Sequence, residues 1–155
     1  FRIDKGADDG IQEDMNVMAG GGLVGIVTDV GANYATVRAI IDDDSNVSGM
    51  SLRTGDTCNV SGNLTLYQDG RLGLDHIKKE ADIQEGDKIV TSNISDIFLS
   101  GILIGYASGL TTDANNVTKS GTIIPVADFD NLQEVLVITQ LKNGDGGDNN
   151  AEAAD

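Results

Sequence analysis

Two stretches of the chain repeat one pattern: IQEDMNVM at residues 11–18 followed by GLVGIV at 22–27, and IQEGDKIV at 83–90 followed by GILIGYA at 101–107. Each sets a polar turn before an apolar run and then a short strand with an internal glycine, which is how a small barrel feeds and bends its strands. Ile11, Gln12, Glu13 and Val17 in the first stretch answer Ile83, Gln84, Glu85 and Ile89 in the second. Beyond them the spacing lengthens, so Gly25 answers Gly105 only if the second copy carries a longer loop. Such a chain reads as two copies of one β unit. A duplicated, glycine-bent barrel with no reactive cluster points to a scaffold before an enzyme.

Short runs rich in Val, Ile and Thr, punctuated by Gly, Asp and Asn, continue from end to end. They predict strands near Phe1 to Asp4, Asn16 to Met18, Leu23 to Val30, Tyr34 to Ile40, Val47 to Leu52, Thr57 to Val60 and Leu64 to Leu66. A second set follows near Arg71 to Leu74, Lys88 to Thr91, Ile102 to Leu110, Gly121 to Pro125 and Glu134 to Thr139. Helical periodicity is nearly absent, apart from a single turn that DNLQEV, after Phe129, can hold. The expected fold is all-β: two small six-stranded barrels packed in tandem, with few or no helices. The expected units are residues 1–65 and 66–141, with the C-terminal strand free to close either one. Residues 142–155, KNGDGGDNNAEAAD, have no apolar residue larger than alanine and read as a disordered acidic tail. With 4% aromatic residues and no Trp, any core must come from Val, Ile and Leu, enough for thin barrels of modest stability.

A formal net charge of -15, from 25 acidic and 10 basic residues, repels polyanions. It argues against nucleic acid and against an anionic membrane surface as partners, and leaves room for a basic protein. Cys58 is the single cysteine, so no intrachain disulfide or multi-cysteine zinc site can form, and the TCNV alternation reads it as a buried, inert thiol. No run reaches the ~20 apolar residues of a membrane helix. The chain opens on Phe1 in strand-like FRID, which reads as a piece of a longer protein.

Reactive constellations are thin. His76 is the one histidine, and a double barrel invites comparison with trypsin-like proteases, which need Ser, His and Asp in fixed roles. Ser120, in NVTKSGTI, is the nearest candidate nucleophile and lacks the glycine cradle of an oxyanion hole. Asp42, Asp43 and Asp44 read as a turn that caps backbone amides. Gly20, Gly21 and Gly22 lack the lysine and following helix of a phosphate loop. The tail lacks the register of a calcium loop. No catalytic residue, cofactor or metal is expected.

The runs IDKGADDGIQEDMNVMAGGGLVGIVTDVGANYATVRAIIDDDSNVS, EADIQEGDKIVTSNISDIFLSGILIGYASG and ADFDNLQEVLVI, in that order and spacing, resemble the extracytoplasmic domain of the MreC family of bacterial rod shape-determining proteins, from Phe1 to about Leu141. The resemblance implies a non-enzymatic scaffold of the elongation machinery that organises peptidoglycan synthesis and maintains rod shape. It implies anchoring by an N-terminal membrane helix and coiled coil, with this part extracytoplasmic. Implied partners are a second copy, as a dimer or filament, together with MreB, MreD, RodA and the elongation-specific penicillin-binding transpeptidase. The expected contact surface lies along Gly20, Gly21, Gly22, Leu23, Val24 and Gly25 and along Phe98, Leu99, Gly101 and Ile102. The polar GRLGLDHIKKE lead and the acidic tail depart from the family pattern. The rival readings are a secreted hydrolase using His76 and a surface adhesin module.

Overall fold

A computed structural model describes residues 1–142 and the backbone of Ala151–Ala154. The strands are β1 Arg2–Ile3, β2 Asn16–Ala19, β3 Gly22–Val30, β4 Ala35–Ala39, β5 Asn46–Ser51, β6 Thr57–Ser61, β7 Leu72–Lys78, β8 Lys88–Thr91, β9 Leu103–Thr112, β10 Thr118–Pro125, β11 Val135–Ile138 and β12 Ala151–Ala154. One four-residue helix, α1, spans Leu64–Tyr67, and 3₁₀ turns lie at Ala7–Asp9 and Phe129–Asn131. The chain is all-β, as its alternation requires. One barrel is closed, in the order β10-β7-β6-β5-β8-β9; the other unit is a six-stranded sheet in the order β1-β4-β3-β2-β11-β12.

Three features differ from the sequence reading. The expected division at residue 65 falls inside the closed barrel, between β6 and β7, which pair at Asn59↔Asp75 and Val60↔Leu74. A hairpin of β5 and β6 is as apolar as its neighbours, so composition gave no sign of the crossing. The run Leu64 to Leu66, expected as a strand, is helical, because Asn63 caps it: its Oδ1 accepts from Leu66 N at 3.0 Å, while Asp43 Oδ1 accepts from Leu64 N at 2.9 Å. Within the expected disordered tail, Ala151–Ala154 pairs with β11 through main-chain register alone; residues 143–150 and 155 lie outside the described residues. The C-terminal strand left open by the sequence, β11, joins β2 and thus the first sheet.

The repeat is explicit in the ladder. Asp14 N donates to Val27 O at 2.8 Å and Val27 N to Met15 O at 2.9 Å; Gly86 N donates to Ala107 O at 2.8 Å and Ala107 N to Asp87 O at 2.9 Å. Asp14 and Gly86 share a left-handed backbone, with φ of 69° and 84°. Val17 pairs with Gly25 and Ile89 with Gly105, and each pair is followed by a one-residue register slip. The first hairpin turns on Gly20 and Gly21, both at positive φ as a tight two-residue turn requires. The second turns through residues 92–102, so the extra length in copy two is one inserted loop.

Two cores follow. Leu72, Leu74, Ile77, Ile89, Ile104 and Ile123 fill the barrel, while Ile3, Val17, Val27, Val37, Val135 and Val137 fill the hollow of the sheet. β3 serves both: Leu23 and Ile26 pack with the barrel, Val24 and Val27 with the sheet. The slip beside Gly25 makes this possible, because an extra residue rephases the alternation. Cys58 lies in the barrel core at 7% exposure, and burial pushes its thiol up to about 12, with Asp75 adding to the rise. The native protein should therefore resist a thiol-selective disulfide reagent at pH 8 and react stoichiometrically once denatured, a difference readable by absorbance.

Candidate interaction surface

On a filled barrel, positions that alternate with the core residues face outward, and directly paired residues on neighbouring strands share a face. Leu52 N bonds Lys88 O at 2.9 Å, Lys88 pairs with Tyr106, and Tyr106 pairs with Ile124. These four form one lateral row across the outside of the barrel. A soluble barrel places polar residues there, yet Leu52, Tyr106 and Ile124 are 57%, 37% and 40% exposed. The adjoining row runs Met50, Val90, Leu103. Val90 is buried and its two neighbours half-buried, which extends the apolar face.

One margin of this face is charged and fixed. Arg53 Nε and Nη2 meet the two oxygens of Asp87 at 3.0 Å each, and Nη2 also donates to Asp82 O at 2.6 Å. The fork ties the turn after β5 to the loop before β8. It holds the Asp87 carboxyl below the usual carboxylate range, and the Asp82 N–H does the same for Asp56. Apart from Lys88, which stands between Leu52 and Tyr106, the row is apolar and lies beside an ion-paired margin, a combination that suits a protein contact. Sequence reading missed it because its members come from four strands. The available signal was phase: in NVSGMS, Val47, Gly49 and Ser51 are the buried set, which leaves Met50 outward with Leu52 following.

The two sequence-derived segments fare differently. Gly22, Leu23, Val24 and Gly25 are buried, as are Phe98 and Ile102; Leu99 is half-buried, and Gly20, Gly21 and Gly101 are exposed. The glycine turn and the 98–102 segment approach opposite ends of the β2–β3 hairpin, while Leu23 shares the barrel core with Phe98 and Ile102. A Cβ on Gly22 would lie 2.9 Å from that of Val126, whereas Phe98 and Leu99 lie near Asn16 and Ile26 at the other end. There Asn16, fully buried, accepts from Leu99 N at 2.8 Å through Oδ1 and donates to Ile97 O at 3.0 Å through Nδ2. Asn16 thereby clamps the inserted loop of the barrel to the open sheet. Ser92 and Ser95 hydroxyls accept from Ile94 N and from Ile97 and Phe98 N, which stiffens a loop that leaves Ile94 64% exposed.

His76 is exposed within β7, with Nδ1 2.6 Å from Asp75 Oδ1. Ser61 Oγ is directed at Asp75 and Ser120 Oγ at Asp113, at 3.3 and 2.5 Å, so neither hydroxyl addresses the imidazole. Hydroxyls of Ser120 and Thr118 hold the Asp113 carboxyl down. Asp42 and Asp43 accept from Ala39 N and Leu64 N, the capping role expected of the acidic turn. Three shallow grooves among the described residues have volumes of about 230, 260 and 190 Å³, below the ~300–1,000 Å³ of small-molecule sites.

Comparison with known proteins agrees. Residues 1–139 match the family model for the barrel core of the rod shape-determining protein MreC. The cell shape-determining protein MreC of Listeria monocytogenes is 30% identical over 155 residues, which is 99% of this chain and 52% of that protein. The solved MreC of Listeria monocytogenes superposes with a TM-score of 0.81 at 31% identity, covering 95% of this chain and 69% of that one. The crystal structure of MreC from Pseudomonas aeruginosa gives 0.79 at 26%, covering 88% and 86%. The chain spans between 36% and 52% of the length of the curated relatives it matches. No helix among the described residues is long and apolar enough to cross a membrane. The outward face, the filled barrel and the duplicated hairpins are thus set in a known architecture, and the chain belongs to the MreC family of rod shape-determining proteins.

Proposed function

We propose that this chain is the extracytoplasmic part of a membrane-anchored, non-enzymatic scaffold that organises peptidoglycan synthesis during rod elongation. It does so by docking wall-synthesis proteins and by self-association. The observation that carries the reading is the outward apolar face on a barrel whose interior is already full. A Helicobacter pylori relative of 20% identity, TM-score 0.62, was solved as a complex between Penicillin-Binding Protein PBP2 and MreC. Two further neighbours are described as the major periplasmic domain from the cell shape-determining filament MreC. The partner assigned to the face is accordingly a penicillin-binding protein, whose own contact patch is apolar with basic flanks to suit the acidic rim. Self-association, MreB, MreD and RodA complete the proposed assembly.

The test is titration of the extracytoplasmic part of the organism's elongation transpeptidase against the parent and a Leu52→Glu, Ile124→Glu double variant. Both positions are exposed, so melting is expected to be unchanged while affinity falls at least about 30-fold, the scale of losing an apolar anchor. Unchanged affinity would overturn the assignment. A second reading rests on the exposed Ile94 and on Ile97 beside it, next to Gly101 and Leu99. It is favoured if Ile94→Ser with Ile97→Ser weakens binding and the barrel variant does not.

A further inference from the structure

Lys88 interrupts the apolar row on the outside of the barrel at its middle. Its carbonyl accepts from Leu52 N and it pairs with Tyr106, so it lies between two exposed apolar residues. Further along β8, Val90 shares the outward face and is 3% exposed. On three sides, therefore, the neighbours of Lys88 in the sheet are apolar, while Lys88 itself is open to solvent.

Its ammonium has no ion-pair partner among the described residues, although the chain carries 25 acidic residues against 10 basic ones. The adjacent carboxylate, Asp87, is turned to Arg53, accepting from Nε and Nη2 at 3.0 Å each, and also accepts from Gln84 N at 2.9 Å. Asp82 is drawn to the same guanidinium. The acids of the rim are thus committed to Arg53 and to their own loops, and the charge of Lys88 is left open to a partner. On a free surface such a lysine keeps its head in water while its stem lies on apolar ground. Once the row is covered that water leaves, and an unmatched ammonium opposes the contact. A cation set among apolar anchors selects a partner that brings the anion.

We propose that Lys88 is the specificity-determining residue of the docking face, and that the penicillin-binding protein seated there presents a carboxylate, ringed by apolar residues, to its ammonium. This pairing rests on the docking reading given above and adds the chemistry at the centre of the partner's patch. Basic flanks meet the acidic rim, and an Asp or Glu meets Lys88. An uncharged or basic patch of the same shape is rejected, because Lys88 is then buried without a counter-charge.

The experiment titrates the extracytoplasmic part of the organism's elongation transpeptidase against the parent, Lys88→Arg, Lys88→Met and Lys88→Glu. Lys88 is exposed and joins the ladder through its main chain, so all three variants are expected to melt like the parent. Lys88→Arg keeps the cation and should bind within about threefold of the parent. Lys88→Met leaves the partner's carboxylate unmatched and should bind at least about tenfold more weakly; Lys88→Glu sets two anions together and should lose at least about a hundredfold. Affinity of Lys88→Met equal to or tighter than the parent's, the result for a lysine that only lays its stem on the face, overturns the proposal. So does an equal loss in Lys88→Arg and Lys88→Met, which would show shape and not charge at work. Should Lys88→Glu fail to fold, the arginine and methionine variants decide alone. Failure of the docking reading looks different: the parent does not bind, or the Leu52→Glu, Ile124→Glu double variant binds as the parent does, and the Lys88 pairing falls with it.

Discussion

Gly25→Ala is expected to cost as much as a large-to-small truncation in the core. A Cβ at that position would stand 2.0 Å from Arg38 O and 2.8 Å from Arg38 C, and both atoms belong to the backbone of β4. Ordinary overpacking costs ~1–3 kcal/mol because a side chain can rotate away. Here the obstacle is a strand whose displacement would break the Gly25↔Ala39 pair and shift Val37, so a loss of at least about 3 kcal/mol is expected. Gly105→Ala repeats the experiment in the second copy, where the Cβ would meet Ile124 O at 2.2 Å. Gly20→Ala is the contrast: nothing lies within 4 Å of its Cβ, and only its φ of 59° resists, worth ~1–2 kcal/mol. Urea midpoints for the three variants separate space from conformation. If Gly25→Ala unfolds no earlier than Gly20→Ala, strand apposition is not what fixes glycine in the repeat.

That pair of glycines shows how far the sequence could be read. The motif spacing placed Gly25 and Gly105 as counterparts on condition of a longer second loop, and the ladder supplies that loop at residues 92–102. Their local neighbours in sequence also predict most strands to within a few residues. Connectivity was less visible. Which hairpin joins which sheet depends on pairings such as Val60↔Leu74, and nothing in an apolar strand names its partner. The same limit explains the site. Leu23, Val24, Phe98 and Ile102 drew attention as apolar residues beside glycine, yet apolarity in a motif reports burial as readily as contact, and these four are core. Leu52, Tyr106 and Ile124 belong to no motif. Their meaning appears only when the register sets them side by side.

Asn16 carries the second large effect, because both ends of its amide are spent inside the protein. Its orientation is fixed by chemistry: Leu99 N–H requires the oxygen, and the carbonyls of Ile97 and Asp14 require the nitrogen. Asn16→Ala leaves the part-buried Leu99 N–H and Ile97 carbonyl without their partner at the junction of sheet and barrel, an expected loss of about 1–3 kcal/mol. Asn16→Asp is the sharper experiment. A neutral carboxyl can accept from Leu99 N and donate to Ile97 O, but a carboxylate faces that carbonyl unpaired in a site with no exposure. Burial therefore raises the folded pKa of the introduced acid above its unfolded value of ~3.9. The protonated form is the one the fold favours, so the variant should approach the parent below about pH 4 and lose ground as pH rises through the folded value. Denaturant midpoints at several pH values should thus diverge upward from acid. Parallel curves for variant and parent would mean that the amide does not join the two halves of the molecule.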